Sequence, residues 1–260
     1  MPAAEPPVSA APVLSRRDFD AALFDLDGVV TRTAQVHAEA WTRLFNAHLE
    51  AHARRGGGPF QPFTAEDYQR YVDGRPRLDG IRCFLQSRGL ILPEGSPEEG
   101  PEAETVWGLG KRKNGYFLGA LEQRGVEVFA GAVGLLERLR AAGFRTAVVS
   151  ASRNCEGVLR RAGLEHLFDA RVDGVEAGRL GLPGKPAPDT FLEAARRLSV
   201  TPERAVVLED AQAGVQAGRR GRFGLVLGVR RTGSEGALER AGADIEVAHL
   251  STVRVEEGEP

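Results

Sequence analysis

The chain has 260 residues, of which 42% are hydrophobic and 27% are charged, a composition that predicts a folded protein rather than a disordered one. Its 34 basic and 36 acidic residues nearly cancel, so we expect neither a nucleic-acid partner nor attraction to an anionic membrane. No apolar run approaches the length needed to cross a bilayer. The two cysteines, Cys83 and Cys155, lack metal-ligand spacing and offer no disulfide framework, which favours the reducing cytoplasm.

The first 15 residues are rich in proline and alanine. They lack a basic region followed by an apolar one, which a secretory signal peptide requires. We therefore predict a disordered N-terminal tail over residues 1–17.

The first predicted strand ends in two aspartates. The apolar run 21–24 is followed by Asp25 and Asp27, and then by Gly28. Ligands bind beyond the carboxyl ends of strands in open α/β sheets, so this pattern indicates an active-site edge. Two like charges this close both stay ionised only with positive charge between them, and Mg²⁺ commonly uses one or two protein carboxylates. The alternative is an ordinary strand-end turn, because Asp and Gly are common turn residues.

Residues 32–127 differ in pattern from the rest of the chain. They are mostly helical in pattern, show no clear buried strand, and are interrupted by breaks rich in glycine and proline at residues 55–59 and 93–101. We predict that they form an inserted helical domain, here called the cap. Its linkers are expected near Thr31 and residues 126–129.

After the cap, short apolar runs alternate with helical patterns. The predicted strands are residues 145–149, 168–172, 205–208, 224–227 and 245–247. Such alternation indicates right-handed βαβ units and a parallel sheet. The predicted fold is therefore α/β, with a Rossmann-like, doubly wound parallel sheet core (residues 18–31 and 128–250) and an inserted α-helical cap domain.

If the sheet is parallel, reactive side chains at several strand ends meet along one edge. Ser150 follows one predicted strand, Glu209 and Asp210 follow another, and Lys185 lies between them in a proline-rich loop. Taken singly, each has an ordinary explanation as a capping hydroxyl, a helix-start acid or a solvated lysine. Taken with the two aspartates, they predict a site where one carboxylate attacks phosphorus and another moves a proton.

These four segments resemble the four motifs of the haloacid dehalogenase superfamily, and the resemblance extends from about Phe19 to about Gly228. It implies that Asp25 is the nucleophile that forms an aspartyl phosphate and that Asp27 is the general acid/base. Ser150 and Lys185 would hold the oxygens of the transferring phosphoryl group. The implied cofactor is Mg²⁺, with Asp25, the backbone carbonyl of Asp27 and Asp210 as ligands and Glu209 assisting.

Segments of the cap and of the loop after Ser150 are similar to the β-phosphoglucomutase family. The matching segments are residues 33–41, 74–77, 111–114 and 151–154. The resemblance implies that His37 links cap closure to proton transfer by Asp27, and that Lys113 lies near the sugar. Arg77 and the stretch 152–154 would hold the phosphate that is not being transferred. The implied substrate-binding residues are Trp41, Gly74, Arg77, Lys113, Ser152, Arg153 and Asn154.

The implied activity is a mutase that converts β-glucose 1-phosphate to glucose 6-phosphate through glucose 1,6-bisphosphate, which also primes the enzyme. The first alternative is a small sugar-phosphate phosphatase of the same superfamily, in which water attacks the aspartyl phosphate. The second is a non-catalytic phosphate-sensing or scaffold protein, which the intact acidic motifs argue against. The expected partner is a small sugar phosphate, and a monomer suits a cap that opens and closes.

Three features depart from the family pattern. Arg32 stands where the family usually has an aspartate, and Arg153 replaces a usual lysine. The glycine-rich stretches at residues 56–58 and 95–100 look like additions to the cap. These departures leave the phosphoryl chemistry intact and leave the identity of the sugar open.

Overall fold

A sheet of six parallel strands organises the computed structural model of the protein, which describes residues 11–231 and 235–256. The strands in this part of the chain are β1 (Val13–Ser15), β2 (Ala21–Phe24), β3 (Arg145–Val149), β4 (Ala170–Val172), β5 (Ala205–Glu209), β6 (Leu225–Val229), β7 (Ile245–Val247) and β8 (Arg254–Glu256). In space the six run in the order β4-β3-β2-β5-β6-β7. The predicted parallel sheet is confirmed, with β2 at its centre.

Helices cover both faces of the sheet, as expected for a doubly wound fold. They are α1 (Thr33–Arg54), α2 (Ala65–Asp67), α3 (Arg77–Ser87), α4 (Val106–Arg124), α5 (Ala130–Ala141), α6 (Cys155–Ala162), α7 (Gly174–Leu180), α8 (Asp189–Arg197), α9 (Gln212–Arg220) and α10 (Ala237–Ala241), with a π-helix at Tyr68–Val72. None of these helices is long and apolar enough to cross a membrane.

Strand β2 shows how the two layers of helices are held. Successive side chains of a strand point to opposite faces, so Ala22 and Phe24 join the core that includes α5 and α6. Ala21 and Leu23 join the core that includes α8 and α9. All four side chains are fully buried, which is typical of a parallel strand covered on both faces.

The register of the central strands brings their carboxyl ends to one level. Phe24 of β2 aligns with Val148 of β3 and with Leu208 of β5. The residues that follow these positions therefore emerge at the same edge of the sheet. This edge is where the sequence places the candidate site.

The cap has a hydrophobic core of its own, rich in aromatic side chains. Phe45 of α1 contacts Phe84 of α3, with ring centroids 4.1 Å apart, and Phe63, with centroids 5.0 Å apart. Leu109 of α4 completes this core and is fully buried. All regular elements between residues 32 and 127 are helices. The division into cap and core domains at the predicted boundaries stays a prediction.

The two linkers between cap and sheet run side by side in opposite directions. Thr31 and Val128 form an antiparallel bridge. The amide of Arg32 donates to the Glu127 carbonyl at 2.9 Å, and the amide of Phe129 donates to the Val30 carbonyl at 2.9 Å. The guanidinium of Arg32 lies 4.5 Å from the centroid of the Phe129 ring. Arg32 thus packs on the second linker, which gives this departure from the family pattern a local role.

The predicted disordered tail is wrong for part of its length. Val13–Ser15 form β1, which pairs in parallel with β8 near the other end of the chain. Leu14 is fully buried in the core that includes α5. The partner strand is distant in sequence, so the composition of the tail could not reveal the pairing. Residues 1–10 of the predicted tail lie outside the described residues.

A matched pair of isoleucines tests the core of the cap. Ile81 is fully buried in it, whereas the side chain of Ile91 is 94% exposed. We expect Ile81→Ala to lower the free energy of unfolding by about 2–5 kcal/mol, because it leaves a cavity. Ile91→Ala should change it by less than about 0.5 kcal/mol. Urea unfolding followed by circular dichroism measures both, and equal effects would contradict this description of the core.

Candidate active site

The candidate site is centred on Asp25, the first residue after β2. Its amide donates to the Leu208 carbonyl at 3.0 Å, which continues the ladder to β5. Ser150 follows β3 in the same way and donates its amide to the Val172 carbonyl at 3.1 Å. Backbone pairing therefore fixes both residues at the sheet edge, and the predicted meeting of the strand ends is confirmed.

Lys185 is the cation that holds this edge together. Its ammonium donates to Asp25 Oδ1 and to Glu209 Oε1, both at 2.6 Å, and to the Val149 carbonyl at 3.0 Å. All three side chains are buried. Burial alone would lower the pKa of Lys185, but the two carboxylates outweigh burial and raise it. The lysine is therefore charged at neutral pH.

Asp27 faces the cavity from the turn after β2. Its Oδ2 accepts a hydrogen bond from the Ser150 hydroxyl at 3.1 Å, and its Oδ1 accepts one from Thr33. Burial raises the pKa of Asp27, but His37, Thr33 and Ser150 together outweigh burial and lower it to about 2. Asp27 is therefore an ionised carboxylate that can accept a proton.

His37 connects this carboxylate to the cap. Its Nε2 lies 3.4 Å from Asp27 Oδ1, an ion-pair distance without hydrogen-bond alignment, and its ring stacks on Phe117 with centroids 3.9 Å apart. The buried ammonium of Lys113 contacts Nδ1. Burial first, and then the charge of Lys113, lower the pKa of His37, while Asp27 opposes them. The His37 ring therefore lies between the Lys113 nitrogen and the Asp27 carboxylate.

Arg77 and Arg153 add positive charge to the same region of the chain's surface that the aspartates face. Burial, followed by the charge of Arg153, lowers the pKa of Arg77 to about 10. Among the residues that the structure describes, no carboxylate forms an ion pair with either arginine. Two neighbouring guanidinium groups without a counter-charge suit an anion such as a phosphate. Asn154 follows Arg153 in the same loop, and its backbone amide donates to the Ser152 hydroxyl at 3.2 Å.

Asp210 lies directly against Gly28. A Cβ atom on Gly28 would stand 1.8 Å from Asp210 Oδ2, and the glycine has φ +98°, which an L side chain rarely adopts. Burial raises the pKa of Asp210 most, and the charges of Asp73, Glu209 and Asp25 raise it further, while Arg231 opposes them. This concentration of repelling carboxylates suits an oxygen-binding cation. Within the described residues, no three acidic, histidine or cysteine side chains form a ready metal site, but Mg²⁺ commonly needs only one or two carboxylates.

Glu209 takes a different position from the other predicted metal ligands. Its side chain is fully buried and does not line the cavity. One carboxylate oxygen accepts from Lys185, and the other accepts from the Ala211 amide at 2.9 Å. The Glu209 carboxylate therefore holds Lys185 without itself lining the cavity.

A single cavity of about 700 Å³ contains the other predicted residues, with the cap on one side and the sheet edge on the other. The predicted site residues that line it are Asp25, Asp27, His37, Trp41, Gly74, Arg77, Lys113, Ser150, Ser152, Arg153, Asn154, Lys185 and Asp210. Pro97, from the predicted addition to the cap, lines it as well. The chemical roles of these residues stay predictions.

Several residues that line the same cavity were not selected from the sequence, and two of them, Tyr68 and Asp73, lie beside the aspartates. Tyr68 and Asp73 begin and follow the π-helix, and both face the acidic end of the cavity. Asp73 directly precedes Gly74, a residue that the sequence analysis had selected. A carboxylate next to a turn glycine was therefore the available signal.

Known proteins resemble this chain in sequence and in fold. Residues 19–222 match the haloacid dehalogenase-like hydrolase family. Proteins from Mycobacterium bovis and Mycobacterium tuberculosis, both named β-phosphoglucomutase, are 49% identical over 235 residues, which cover 89% of this chain and 90% of theirs. A Thermotoga maritima protein named phosphorylated carbohydrates phosphatase is 27% identical and aligns with 86% of this chain and 92% of its own. The crystal structure of a β-phosphoglucomutase from Clostridium difficile shares the fold, with a TM-score of 0.68 at 24% identity over 90% of this chain and 92% of that one.

Removing the charge of Lys185 tests its place between two buried carboxylates. We expect Lys185→Met to lower the free energy of unfolding by roughly 3–5 kcal/mol, because Asp25 and Glu209 lose their shared cation. Burial raises the pKa of Asp25, and the variant lacks the ammonium that opposes this shift. Protonation of Asp25 removes one of the two uncompensated negative charges of the variant. The loss in free energy of unfolding relative to wild type should therefore become smaller as the pH falls from about 8 to about 5.

Urea unfolding of both proteins across this pH range provides the measurement. Lys111→Met is the matched control, because the Lys111 ammonium contacts a backbone carbonyl of the cap rather than buried carboxylates. A deficit that stays constant with pH, or one no larger than that of the control, would show that the lysine does not compensate the two carboxylates.

Proposed function

Because this chain belongs to the haloacid dehalogenase-like hydrolase family, we propose that it is a β-phosphoglucomutase that acts through an aspartyl phosphate on Asp25. It would convert β-glucose 1-phosphate to glucose 6-phosphate by way of glucose 1,6-bisphosphate. The observation that carries the proposal is one cavity that holds two different anion-binding groups. Asp25 with Lys185 is one, and Arg77 with Arg153, which pair with no carboxylate of the described residues, is the other. The 49% identity to mycobacterial proteins of that name supports it.

The nucleophile is prepared by its lysine. Lys185 holds Asp25 through Oδ1, which leaves Oδ2 to form the bond to phosphorus as the bond to the leaving oxygen breaks. The charge of Lys185 lies beside the phosphoryl oxygens, which carry the negative charge in the transition state, and the Ser150 hydroxyl would transfer its hydrogen bond from Asp27 to one of them. Positioned charge of this kind is the main requirement of phosphoryl transfer.

The donor set around Asp25 fits Mg²⁺. Asp25, the backbone carbonyl of Asp27 and Asp210 would hold the ion, and Glu209 would assist by fixing Lys185. When bound, Mg²⁺ would neutralise phosphoryl charge and relieve the repulsion that raises the pKa of Asp210.

Asp27 is placed to move the proton. As an ionised carboxylate it accepts the proton of the sugar hydroxyl that attacks the aspartyl phosphate, and it returns a proton to the leaving oxygen in the reverse step. His37 lies on α1 of the cap and faces Asp27 across 3.4 Å. Movement of the cap therefore changes the surroundings of Asp27, which is how closure and proton transfer would be linked.

The second phosphate site is what favours a mutase. A bisphosphate intermediate must turn over in the cavity, so both ends must accept a phosphate. A sugar-phosphate phosphatase is the second candidate, because the chain also aligns with the Thermotoga maritima phosphatase over 86% of its length. In that case water, rather than a sugar hydroxyl, would attack the phosphorylated Asp25. The predicted monomeric state, the lack of a nucleic-acid partner and the cytoplasmic location stay predictions.

Product analysis separates the two candidates. The protein is supplied with β-glucose 1-phosphate, Mg²⁺ and a trace of glucose 1,6-bisphosphate, and glucose 6-phosphate and inorganic phosphate are assayed in parallel. A mutase forms glucose 6-phosphate, depends on the bisphosphate and releases little phosphate. Asp25→Asn should abolish the reaction, because it removes the nucleophile. Stoichiometric release of phosphate would favour the phosphatase, and full activity of Asp25→Asn would refute both.

The distal phosphate site is tested through Arg77. We expect Arg77→Ala to lower kcat/KM roughly 10- to 100-fold, since charge-assisted hydrogen bonds contribute about 1.5–3 kcal/mol. Arg70→Ala is the matched control, because Arg70 is exposed and does not line the cavity. Steady-state kinetics of both variants measure the effect. An unchanged kcat/KM in Arg77→Ala would show that this arginine does not hold a phosphate.

A further inference from the structure

Asp73 is held at the edge of the cavity by an uncommon turn. The π-helix Tyr68–Val72 ends with the Asp73 amide donating to the Tyr68 carbonyl at 3.0 Å, a bond five residues long. Single π turns occur frequently at functional sites. The Tyr68 hydroxyl lies beside the Asp73 carboxylate and donates to the Ala34 carbonyl at 3.5 Å. The backbone of Asp73 is therefore fixed, and Tyr68 is positioned to orient its side chain.

The loop after Asp73 docks on the sheet edge beside Asp210 and Lys185. Gly74 has φ +68°, and a Cβ atom there would stand 2.8 Å from the Ala211 Cβ, next to Asp210. Pro76 packs so closely on Gly184, next to Lys185, that a Cβ on that glycine would stand 2.1 Å from the proline ring. These contacts fix the position of Asp73 of the cap relative to Asp210 and Lys185 of the core.

This position is electrostatically unusual, because the cap adds an acid to an end of the cavity that already has several. Burial first, and then the charge of Glu209, raise the pKa of Asp73, and its final value is about 7. Within the described part of the chain, Asp73 forms no ion pair. A carboxylate has about four acceptor positions, and Tyr68 occupies only part of this capacity. The remaining positions face a cavity in which a sugar would supply hydroxyl donors.

We propose that Asp73 is a specificity-determining residue that accepts a hydrogen bond from one ring hydroxyl of the bound sugar phosphate. Tyr68 is its positioning partner, which orients the carboxylate. This inference rests on the proposed function for its ligand class and adds a residue for recognition of the sugar itself.

The test is a comparison of four sugars in two proteins. Wild type and Asp73→Ala are assayed with β-glucose 1-phosphate and with its 2-, 3- and 4-deoxy analogues. A hydrogen bond to a charged group contributes about 1.5–3 kcal/mol, so Asp73→Ala should lower kcat/KM for the parent sugar roughly 10- to 100-fold. For the analogue that lacks the contacted hydroxyl, wild type and variant should be nearly equal. Tyr68→Phe should show the same selectivity with a smaller effect.

Asp79→Ala is the matched control. Asp79 is another acid of the cap that lines the cavity, but its carboxylate pairs with Arg82 at 2.6 Å. Any effect of this control should be the same for all four sugars. If Asp73→Ala also lowers kcat/KM equally for all four, the residue has only a structural or general electrostatic role and the inference is wrong. A changed Mg²⁺ requirement without sugar selectivity would make Asp73 a cation ligand instead and would likewise overturn it.

Binding measurements separate failure of this inference from failure of the proposed function. The four sugars are titrated into Asp25→Asn and into Asp25→Asn with Asp73→Ala, by calorimetry, so that no turnover is needed. Binding that depends on Asp73 for three sugars and not for the fourth supports the contact even if the wild-type protein proves not to be a mutase. Failure of all four sugars to bind would overturn both conclusions.

Discussion

The site depends on one buried ammonium shared by two carboxylates. Lys185 contacts Asp25 and Glu209 at equal distances of 2.6 Å, and none of the three side chains is more than 8% exposed. Buried charges are costly unless they are paired and hydrogen-bonded. The register of β2 and β5 places the two acids side by side, so the loop that carries Lys185 must pack against both strand ends. Folding of the sheet and assembly of the site are therefore the same event.

The cavity combines acidic and basic side chains that come from different parts of the chain. The acidic end, which suits a cation and a reacting phosphoryl group, is formed mainly by the sheet edge. The basic end combines Arg77 of the cap with Arg153 of the core. Because cap and core each contribute one arginine, a phosphate bound there would, under the proposed function, draw cap and core together. Substrate binding and closure of the cavity would then stabilise each other.

The sequence was sufficient to predict which residues meet at the carboxyl ends of the strands. Parallel strands bring their carboxyl ends to one edge, so Asp25, Ser150 and Asp210 could be grouped without a structure. Residues 145–149 and 245–247 were predicted with the observed bounds. Pairing across long separations was not accessible: β1 joins β8, and Asp73 reaches the acidic end only because Gly74 docks beside Asp210. Burial of Glu209 behind Lys185 is likewise a property of packing, which alternation of residue types does not encode.

The paired linkers have a consequence for how the cap can travel. A domain tethered by two independent strands could rotate about each of them, whereas these two are crosslinked by backbone hydrogen bonds on both sides of the Thr31–Val128 bridge. Such a ribbon bends easily across its flat face and resists bending within its plane. Under the proposed function, closure of the cap would therefore follow essentially one arc, and each closure would return His37 to the same place opposite Asp27.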